Sequence, residues 1–329
     1  MTADFKHQQF AHCESGVVST LLSSYGLKIS EPMAFGITSS LSFVYLPVIK
    51  LNGLPLIAYR DLPKNIINKI SKVLGIKIKK EKFSDPIKAN ARLTKLIKDE
   101  KKLVGLQTSV FYLPYMPENM RFHFNAHNLL VYGKKNNVYQ VSDPVFEDVV
   151  ECEESKLTRA RFAKGAFAPK GFLYYPEDIS NSIELKYAIR KAIKKNAKSM
   201  LTPFPYAGIK GMKRLARKIE TLYQEDTKYI QLFLTHIVRM QEEIGTGGGG
   251  FRFLYAAFLK EAMEYDIDNF VLEKSSVLFV KSGNVLREFA LLCVSGSKNL
   301  EKLNLEQISN KLREAIFYEE EAYRMLKKV

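Results

Sequence analysis

Cys13 begins the first segment of this sequence that could carry chemistry. It is followed by apolar residues at Val17, Val18, Leu21 and Leu22, and their spacing predicts a helix that starts at the cysteine. The unpaired N–H groups and the dipole at a helix N-terminus stabilise a thiolate, which is the nucleophilic form of cysteine. A lone helical cysteine is more often a small buried hydrophobe, so Cys13 needs partners before it indicates catalysis.

A histidine and an aspartate further along the chain could be those partners. His127 lies in the apolar run FNAHNLLVYG, and Asp143 ends the following run VYQVSDP. The segment GKKNN between them is typical of a turn, so the two runs predict a β-hairpin. Alone, His127 could be a core residue and Asp143 plain turn chemistry. Together their order and spacing favour a nucleophilic Cys–His–Asp triad, in which Asp143 orients the imidazole.

The oxyanion formed during such chemistry needs hydrogen-bond donors. The backbone N–H of Cys13 is the first candidate, and His12, Gln8 and Gln9 are candidate auxiliary donors, since all three precede the cysteine closely. His12 and His123 are rivals for the base. His12 adjoins Cys13 but would have to fold back past the backbone to reach the sulfur, whereas His123, four residues before His127 on one strand, would share its face.

Composition limits the class of protein. A length of 329 residues predicts two domains, and 46% hydrophobic with 26% charged residues is ordinary for a soluble globular chain. The sequence contains neither a membrane-spanning apolar run nor a signal-peptide pattern, which predicts a cytoplasmic protein. Three widely separated cysteines argue against a disulfide framework and a metal site. Acidic neighbours also disfavour a thiolate at Cys152.

Positive charge is concentrated in one part of the chain. The net charge is +15, and residues 186–218 contain eleven basic residues and no acidic one. Such a field attracts an acidic partner, although a solvated helix face is the simpler explanation. The absence of acidic residues over this length favours a docking surface, and without a nucleic-acid-binding motif the charge alone gives little support for nucleic acid as the partner. The candidate contacts are Lys194, Lys195, Lys198, Lys213, Arg214 and Arg217.

The glycine-rich segment GTGGGGFR at 245–252 has two interpretations. The favoured one is a tight connection between helices. The alternative is a phosphate cradle, for example for phosphopantetheine, in which Gly248 supplies a backbone N–H and Arg252 supplies charge. No Lys-Ser/Thr pair follows the glycines, so the segment is not a nucleotide-binding P-loop.

The order of predicted elements divides the chain. Up to about residue 178 a helix layer is followed by a cluster of antiparallel strands, which predicts an α+β domain over 1–178. After the segment YYPEDIS only helical patterns remain, which predicts an all-α domain over 179–329. The first-domain helices are predicted at 13–25, 61–74 (capped by Asp61) and 84–99 (capped by Ser84), and its strands at 76–80, 103–112, 124–132, 137–142 and 171–175. The second-domain helices are predicted at 181–199, 208–223, 226–244, 251–265, 270–294 and 304–327.

Several segments resemble the butirosin biosynthesis protein H family. They are HCESGVVSTLLSSYGLKISEPMAFGITSSLSFVY, HFNAHNLLVYGKKNNVYQVSDP, IRKAIKKNAKSML and GTGGGGFRFLYAAFLKEA, and together they cover nearly the whole chain. The resemblance implies a papain-like N-terminal domain followed by a helical domain of unassigned function. Cysteine, histidine and aspartate also occur here in the order found in papain-like cysteine enzymes.

The resemblance further implies an acyltransferase of specialised-metabolite biosynthesis. Cys13 would accept an acyl group from an acyl carrier protein thioester, with His127 as base and Asp143 as orienting residue. An amine or hydroxyl of a small-molecule, lipid-like or polyketide-like acceptor would then take the acyl group. No cofactor would be bound directly, because phosphopantetheine arrives on the carrier protein, whose usual acidity suits the basic segment. Glu14 departs from the small residue usual after the cysteine, and we expect it to face solvent.

Two rival functions fit the same residues. The first is a papain-like cysteine peptidase or amidase, in which water replaces the acceptor, since a triad does not distinguish water from an amine. The second is a non-catalytic protein that binds a carrier protein or nucleic acid through its basic surface.

Overall fold

The computed structural model describes residues 5–51, 53–179, 184–245 and 247–329. None of the helices in these ranges has the length and apolar character needed to cross a membrane. The described part of the chain forms eleven α-helices and eight strands: α1 (Cys13–Ser24), α2 (Glu31–Ile37), β1 (Leu41–Leu51), β2 (Leu54–Arg60), α3 (Asn65–Leu74), β3 (Lys77–Glu81), α4 (Pro86–Lys98), β4 (Val104–Thr108), β5 (His127–Lys135), β6 (Val138–Ser142), β7 (Val150–Glu153), α5 (Glu154–Arg161), β8 (Leu173–Asp178), α6 (Leu185–Met200), α7 (Gly208–Glu220), α8 (Thr227–Val238), α9 (Arg252–Ala262), α10 (Asn269–Lys298) and α11 (Leu305–Leu326).

The chain folds into two compact units, and each unit consists of two separate segments of the sequence. The first unit consists of Met1–Ala34 and Pro63–Ile183, and the second consists of Phe35–Leu62 and Glu184–Val329. The sequence predicted continuous domains over 1–178 and 179–329. The late boundary is close to the observed one, but residues 35–62 group with the C-terminal unit rather than with the first.

A six-stranded antiparallel sheet organises the first unit. Its strand order is β3-β8-β4-β5-β6-β7. Alternate residues of the central strands, such as Leu106, Leu129 and Val141, form a buried core with Leu93 of α4 and Leu157 of α5. This is the mixed α+β architecture that the sequence predicts, because strands with a period of two need a helical layer to cover their apolar face.

The hairpin predicted around the histidine is confirmed. Strands β5 and β6 pair antiparallel, and Lys135 lies opposite Val138, which leaves Asn136 and Asn137 as the turn. Asn136 adopts φ 51°, a left-handed conformation that asparagine tolerates better than most residues. The turn therefore lies where the sequence placed it, and it fixes the register of the strands that carry His127 and lead to Asp143.

The second unit is mostly helical but not all-α. Strands β1 and β2 form an antiparallel hairpin that packs against α6, α7 and α8. Asn196 of α6 donates from its side-chain amide to the carbonyl of Leu41, at 2.6 Å. This hairpin comes from residues 41–60, and the described residues from 184 onward form helices, as the sequence predicts for 179–329. The predicted helix at 181–199 begins in residues outside the described ranges, and α6 itself starts at Leu185.

Two predicted helix starts differ from the observed ones. Helix α3 begins at Asn65 rather than at Asp61, and its N-cap residue Lys64 makes no side-chain capping bond. Helix α4 is capped by Asp85, whose carboxylate accepts from the N–H of Ile87 at 2.8 Å. Proline at the first helical position needs no N–H partner, which suits this start.

Candidate active site

Cys13 is the first residue of α1, as the sequence predicted. The residue before it, His12, has an extended backbone and caps the helix: its ring Nδ1 lies 2.8 Å from Ser15 Oγ and accepts from the Ser15 N–H. The first N–H groups of a helix have no carbonyl partner within that helix. Cys13 is only 8% exposed, so the thiol is buried together with the start of the helix.

Glu31 fixes the chain just before the cysteine. Its buried carboxylate accepts from the N–H groups of Ala11, at 3.0 Å, and His12, at 2.7 Å, and from the Ser15 hydroxyl, at 3.1 Å. Burial raises the pKa of Glu31, and these three hydrogen bonds oppose the rise. The sequence analysis missed this residue, since no local motif connects it with Cys13.

Glu14 faces the interior instead of solvent, which corrects the sequence prediction. It is fully buried, and its carboxylate oxygens accept from the backbone N–H groups of Lys64, at 3.1 Å, Ile66, at 2.9 Å, and Ile67, at 3.3 Å. These are among the N–H groups left without partners at the start of α3. Glu14 therefore caps a second helix, and its negative charge is stabilised there by the dipole of α3.

His127 and Asp143 lie together in the hairpin. His127 is the first residue of β5, Asp143 follows the last residue of β6, and the ring Nε2 of His127 is 2.7 Å from Asp143 Oδ2. Both side chains are buried, with 4% and 0% exposure. An imidazole held this closely by a carboxylate keeps a fixed orientation and tautomer.

The Asp143 carboxylate has further donors. The Tyr115 hydroxyl donates to Oδ2 at 2.9 Å, and the backbone N–H of Val145 donates to Oδ1 at 3.1 Å. Burial and the Asp143 charge raise the pKa of Tyr115 well above its ordinary value, so this phenol remains a donor. Tyr115 is a second residue that sequence reasoning missed, because it lies in an irregular segment with no recognisable pattern.

The thiol of Cys13 completes this line of side chains. Burial by itself lowers the pKa of His127, but the Asp143 charge and hydrogen bonds from Asp143 and Cys13 raise it to about 10. The Cys13 thiol is thus among the neighbours that favour the charged form of His127. Because Nε2 is bonded to Asp143, Nδ1 is the ring nitrogen that remains for sulfur. Thiol, imidazole and carboxylate therefore follow one another in the order that cysteine nucleophiles require.

The N-terminal leader is bound along the segment after β6. His7 Nδ1 lies 2.7 Å from Ser142 Oγ, and the N–H of Phe10 donates to the carbonyl of Pro144 at 2.9 Å. Gln9 is exposed and donates from its side-chain amide to the carbonyl of Val145 at 3.0 Å. The amide of Gln9 is thus bonded to this backbone, and Gln8 is exposed.

The remaining histidine and cysteines differ clearly from this set. His123 precedes β5, is exposed, and stacks on Phe111 with 4.0 Å between ring centroids. It does not share a strand with His127. Cys152 belongs to the core of the first unit, and burial followed by the Glu153 charge raises the pKa of its thiol to about 12. Burial also raises the pKa of Cys293 in α10.

The basic residues of the second unit lie mainly on the exposed faces of α6 and α7. Lys195, Lys198, Arg214 and Arg217 are exposed, Lys194 is half-buried, and Lys213 is bonded to Glu320 at 2.7 Å. A groove of about 530 Å³ adjoins the end of α7, and both cationic and tyrosine side chains line it. Its lining includes Lys50, Arg214, Arg217, Lys218, Tyr45 and Tyr229.

The glycine-rich segment binds side chains of its own unit. The N–H of Gly249 donates to both oxygens of Glu242, at 3.0 and 3.1 Å. Arg252 is fully buried and donates to Glu319 from Nε, at 2.9 Å, and from Nη2, at 3.0 Å. A phosphate contact was the alternative prediction for Gly248 and Arg252, and in this structure the arginine is held in the interior instead. A Cβ on Gly248, at φ 84°, would meet the Arg287 guanidinium.

Comparison with known families adds to this geometry. Residues 12–144 match the family described as butirosin biosynthesis protein H, N-terminal. Residues 155–326, more than half of the chain, match a domain of unknown function (DUF4872). The chain belongs to the butirosin biosynthesis protein H-like family. No curated protein matches it. The family is named for a protein of butirosin biosynthesis, so membership in it relates this chain to biosynthetic proteins.

In this member of the butirosin biosynthesis protein H-like family, the first match contains Cys13, His127 and Asp143, and the second contains Arg252 and Glu319. The leader that bonds to the segment after β6 precedes the first match.

Proposed function

We propose that this protein is a papain-like cysteine acyltransferase of specialised-metabolite biosynthesis that acts in the cytoplasm. The observation that carries the proposal is the buried series of Cys13, His127 and Asp143, with 2.7 Å between the imidazole and the carboxylate. Membership in a family named for a biosynthetic protein favours transfer over degradation.

The first step loads the enzyme. The raised pKa of His127 places the proton shared with Cys13 on the imidazole, so Cys13 reacts as the thiolate of an ion pair whose positive charge Asp143 stabilises. The thiolate attacks the carbonyl carbon of an acyl carrier protein thioester. The resulting oxyanion accepts a hydrogen bond from the Cys13 N–H at the start of α1, with His12, Gln8 and Gln9 as candidate auxiliary donors. The C–S bond to the phosphopantetheine arm breaks, and His127 protonates the departing thiol.

The second step transfers the acyl group. An amine or hydroxyl acceptor attacks the thioester on Cys13 while His127 removes its proton. The Cys13–acyl bond breaks, and the thiol is restored. The overall change exchanges one thioester for one amide or ester without an added cofactor. A thioester donor suits a cysteine nucleophile, because exchange between two thioesters is close to thermoneutral.

The donor supports a role for the basic surface of the second unit. Carrier proteins are typically acidic, and Lys195, Lys198, Arg214 and Arg217 present exposed cations. Opposite charges raise the rate of encounter and orient the partner. We propose these residues, with Lys194 and Lys213, as the contact for the body of the carrier protein.

Intact-protein mass spectrometry tests the proposal. The protein is incubated with carrier proteins loaded with acetyl, butanoyl or benzoyl groups, and we expect an added acyl mass that maps to Cys13. The Cys13→Ala variant should gain no mass and lose transfer. A turnover-competent enzyme without this adduct, or a Cys13→Ala variant with an unchanged rate, would contradict the proposal.

The same reaction separates transfer from hydrolysis. Product analysis is carried out with and without a panel of primary amines and alcohols. An amide or ester product supports the acyltransferase. Release of free acid alone, at a rate independent of every acceptor, identifies a hydrolase with water as acceptor.

A further inference from the structure

A cleft of about 310 Å³ in the first unit carries three lysines. Lys64, Lys82 and Lys170 line it, together with Gln107, Phe167 and a few small residues. No carboxylate among the described residues forms an ion pair with any of the three ammonium groups. Several other cations of the first unit have acidic partners, as in the pairs of Lys77 with Glu177, Arg92 with Glu81 and Lys134 with Glu154.

The backbone brings these lysines together. The N–H of Phe83 donates to the carbonyl of Lys170 at 3.1 Å, which places the segments of Lys82 and Lys170 side by side. The Lys64 ammonium lies 4.7 Å from the centre of the Phe172 ring, two residues beyond Lys170. The convergence is therefore set by secondary structure and packing and does not depend on flexible side chains alone.

Two of the lysines adopt a costly backbone conformation. Lys64 has φ 73° and Lys170 has φ 53°, and the left-handed region costs a residue with a side chain about 1–2 kcal/mol. Burial and the neighbouring charges of Lys82 and Lys170 also lower the pKa of Lys64, against the raising effect of Glu14. The fold maintains this positive charge at a cost in stability, which is a pattern typical of binding sites.

The floor of the cleft offers an acceptor as well. Gln107 is 1% exposed, and its amide nitrogen donates to the carbonyls of Asn125, at 2.7 Å, and Phe167, at 3.1 Å. With the nitrogen fixed by two carbonyls, the oxygen is the atom left, and it has no hydrogen-bond partner in the described chain. A ligand with an anionic group and an N–H or O–H donor would complement both features.

The cleft is close to the candidate nucleophile. The carboxylate of Glu14, next to Cys13, accepts from the Lys64 N–H at 3.1 Å. Gln107 precedes Thr108, which pairs with His127 across β4 and β5. The lining of the cleft is thus connected, at Lys64 and at Gln107, to the segments that carry Cys13 and His127.

We infer that this cleft binds the phosphate of the phosphopantetheine arm that carries the acyl donor. The inference rests on the proposed acyl transfer for the identity of the ligand. Lysine ammonium groups bind phosphate as point charges, and the amide and hydroxyl groups of the arm match the acceptor of Gln107. The phosphate would be held while the thioester at the far end of the arm reaches Cys13.

Binding of free arms tests the inference without any acyl chemistry. Calorimetry compares phosphopantetheine with pantetheine, which lacks the phosphate, on the full-length Cys13→Ala protein under reducing conditions. We expect phosphopantetheine to bind at least about tenfold more tightly. Adding Lys82→Ala and Lys170→Ala should remove that preference, and inorganic phosphate should compete in the parent protein only.

A matched control uses Lys88→Ala with Lys156→Ala, two exposed lysines of the same unit outside the cleft. The control should keep the preference for phosphopantetheine. Equal binding of the two arms by the parent protein, or equal losses in the cleft and control variants, would overturn the inference. A phosphate preference that depends on the cleft, without any acyl adduct on Cys13, would support the cleft and refute the acyltransferase.

Discussion

Each unit of this protein buries a pair of oppositely charged side chains, and the two pairs differ in the further groups that they contact. In the second unit Arg252 and Glu319 are both fully buried and joined by two hydrogen bonds. Arg252 Nη1 donates to the carbonyl of Gly250 at 2.7 Å, and the Ser282 hydroxyl donates to Glu319 at 2.8 Å. In the first unit the His127–Asp143 pair continues to the thiol of Cys13.

The difference separates a structural pair from a reactive one. The donors and acceptors around Arg252 and Glu319 are used within the unit, and an arginine does not give up its proton in a protein. His127 can give up its proton, and one of its ring nitrogens faces a nucleophile. A buried charged pair is therefore not by itself evidence of function. It indicates a functional site when one of its members can change protonation state and lies next to a reactive group.

Asp143→Asn should produce the largest change in rate. The imidazole would lose the carboxylate that stabilises its charge and tautomer, so we expect acyl transfer to fall on the order of 10²- to 10⁴-fold. Single-turnover loading of Cys13 measures this effect. Asp148→Asn, an exposed change a few residues away, should leave the rate unchanged, and equal losses in both variants would remove Asp143 from the mechanism.

The pH dependence of stability follows from the same pair. The folded pKa of His127 is raised from 6.5 to about 10, so its contribution to stability is complete below 6.5 and is lost as the pH rises to about 10. Unfolding free energies by urea should fall over this range for the native protein. The fall should be smaller in Asp143→Asn, and parallel pH curves would contradict the assignment.

Arg252→Met should produce the largest change in stability. It leaves Glu319 buried without a partner, and we expect the unfolding free energy to fall by about 3–5 kcal/mol. The double variant Arg252→Met/Glu319→Leu should recover most of this loss, because no unpaired charge remains. Urea unfolding measures both. A double variant no more stable than the single one would show that the pair is more than structural.

Cys13 should react with an alkylating reagent about a hundredfold or more faster than Cys152 and Cys293. Cys13 lies at a helix start and interacts electrostatically with His127, whereas burial raises the pKa of Cys152 to about 12 and also raises the pKa of Cys293. Iodoacetamide labelling at neutral pH, followed by peptide mapping, measures each rate. If Cys13 is labelled no faster than the other two cysteines, the His127–Asp143 pair has a structural role, like the Arg252–Glu319 pair.

Reversing surface charge should produce the smallest effect. Lys195→Glu with Lys198→Glu should raise KM for a loaded carrier protein by about three- to tenfold, because the attraction is screened by solvent. The effect should shrink at high salt. Lys260→Glu with Lys298→Glu reverses two exposed charges elsewhere in the second unit. An equal rise in KM for that control would attribute the effect to net charge.

Local patterns allowed the sequence to predict the helix at Cys13 and the hairpin of His127 and Asp143. Both depend on residues close in sequence, on apolar spacing and on turn residues. The β1–β2 hairpin also has alternating burial, but it was not identified, and its assignment to the second unit depends on packing against helices much later in the chain.

Long-range partners explain the other differences. Glu14 was expected in solvent because an inward carboxylate would disfavour the neighbouring thiolate, but the N–H groups that it caps belong to residues 64–67, far along the sequence. Arg252 was a candidate phosphate ligand until its partner, Glu319, appeared in α11. A buried charge can be recognised as structural only once the element that neutralises it is known.

The leader, residues 5–11, has a practical consequence for anyone who isolates the first unit of this protein. Phe5 stacks on Tyr132 with 4.4 Å between ring centroids, His7 bonds to Ser142, and Phe10 bonds to Pro144. These contacts flank Asp143, yet they precede the segment that the family match recognises, which starts at His12. A fragment that starts at His12 would lack these contacts, so the segment around Asp143 would be exposed to water. The low activity of such a fragment would be mistaken for a poor choice of substrate.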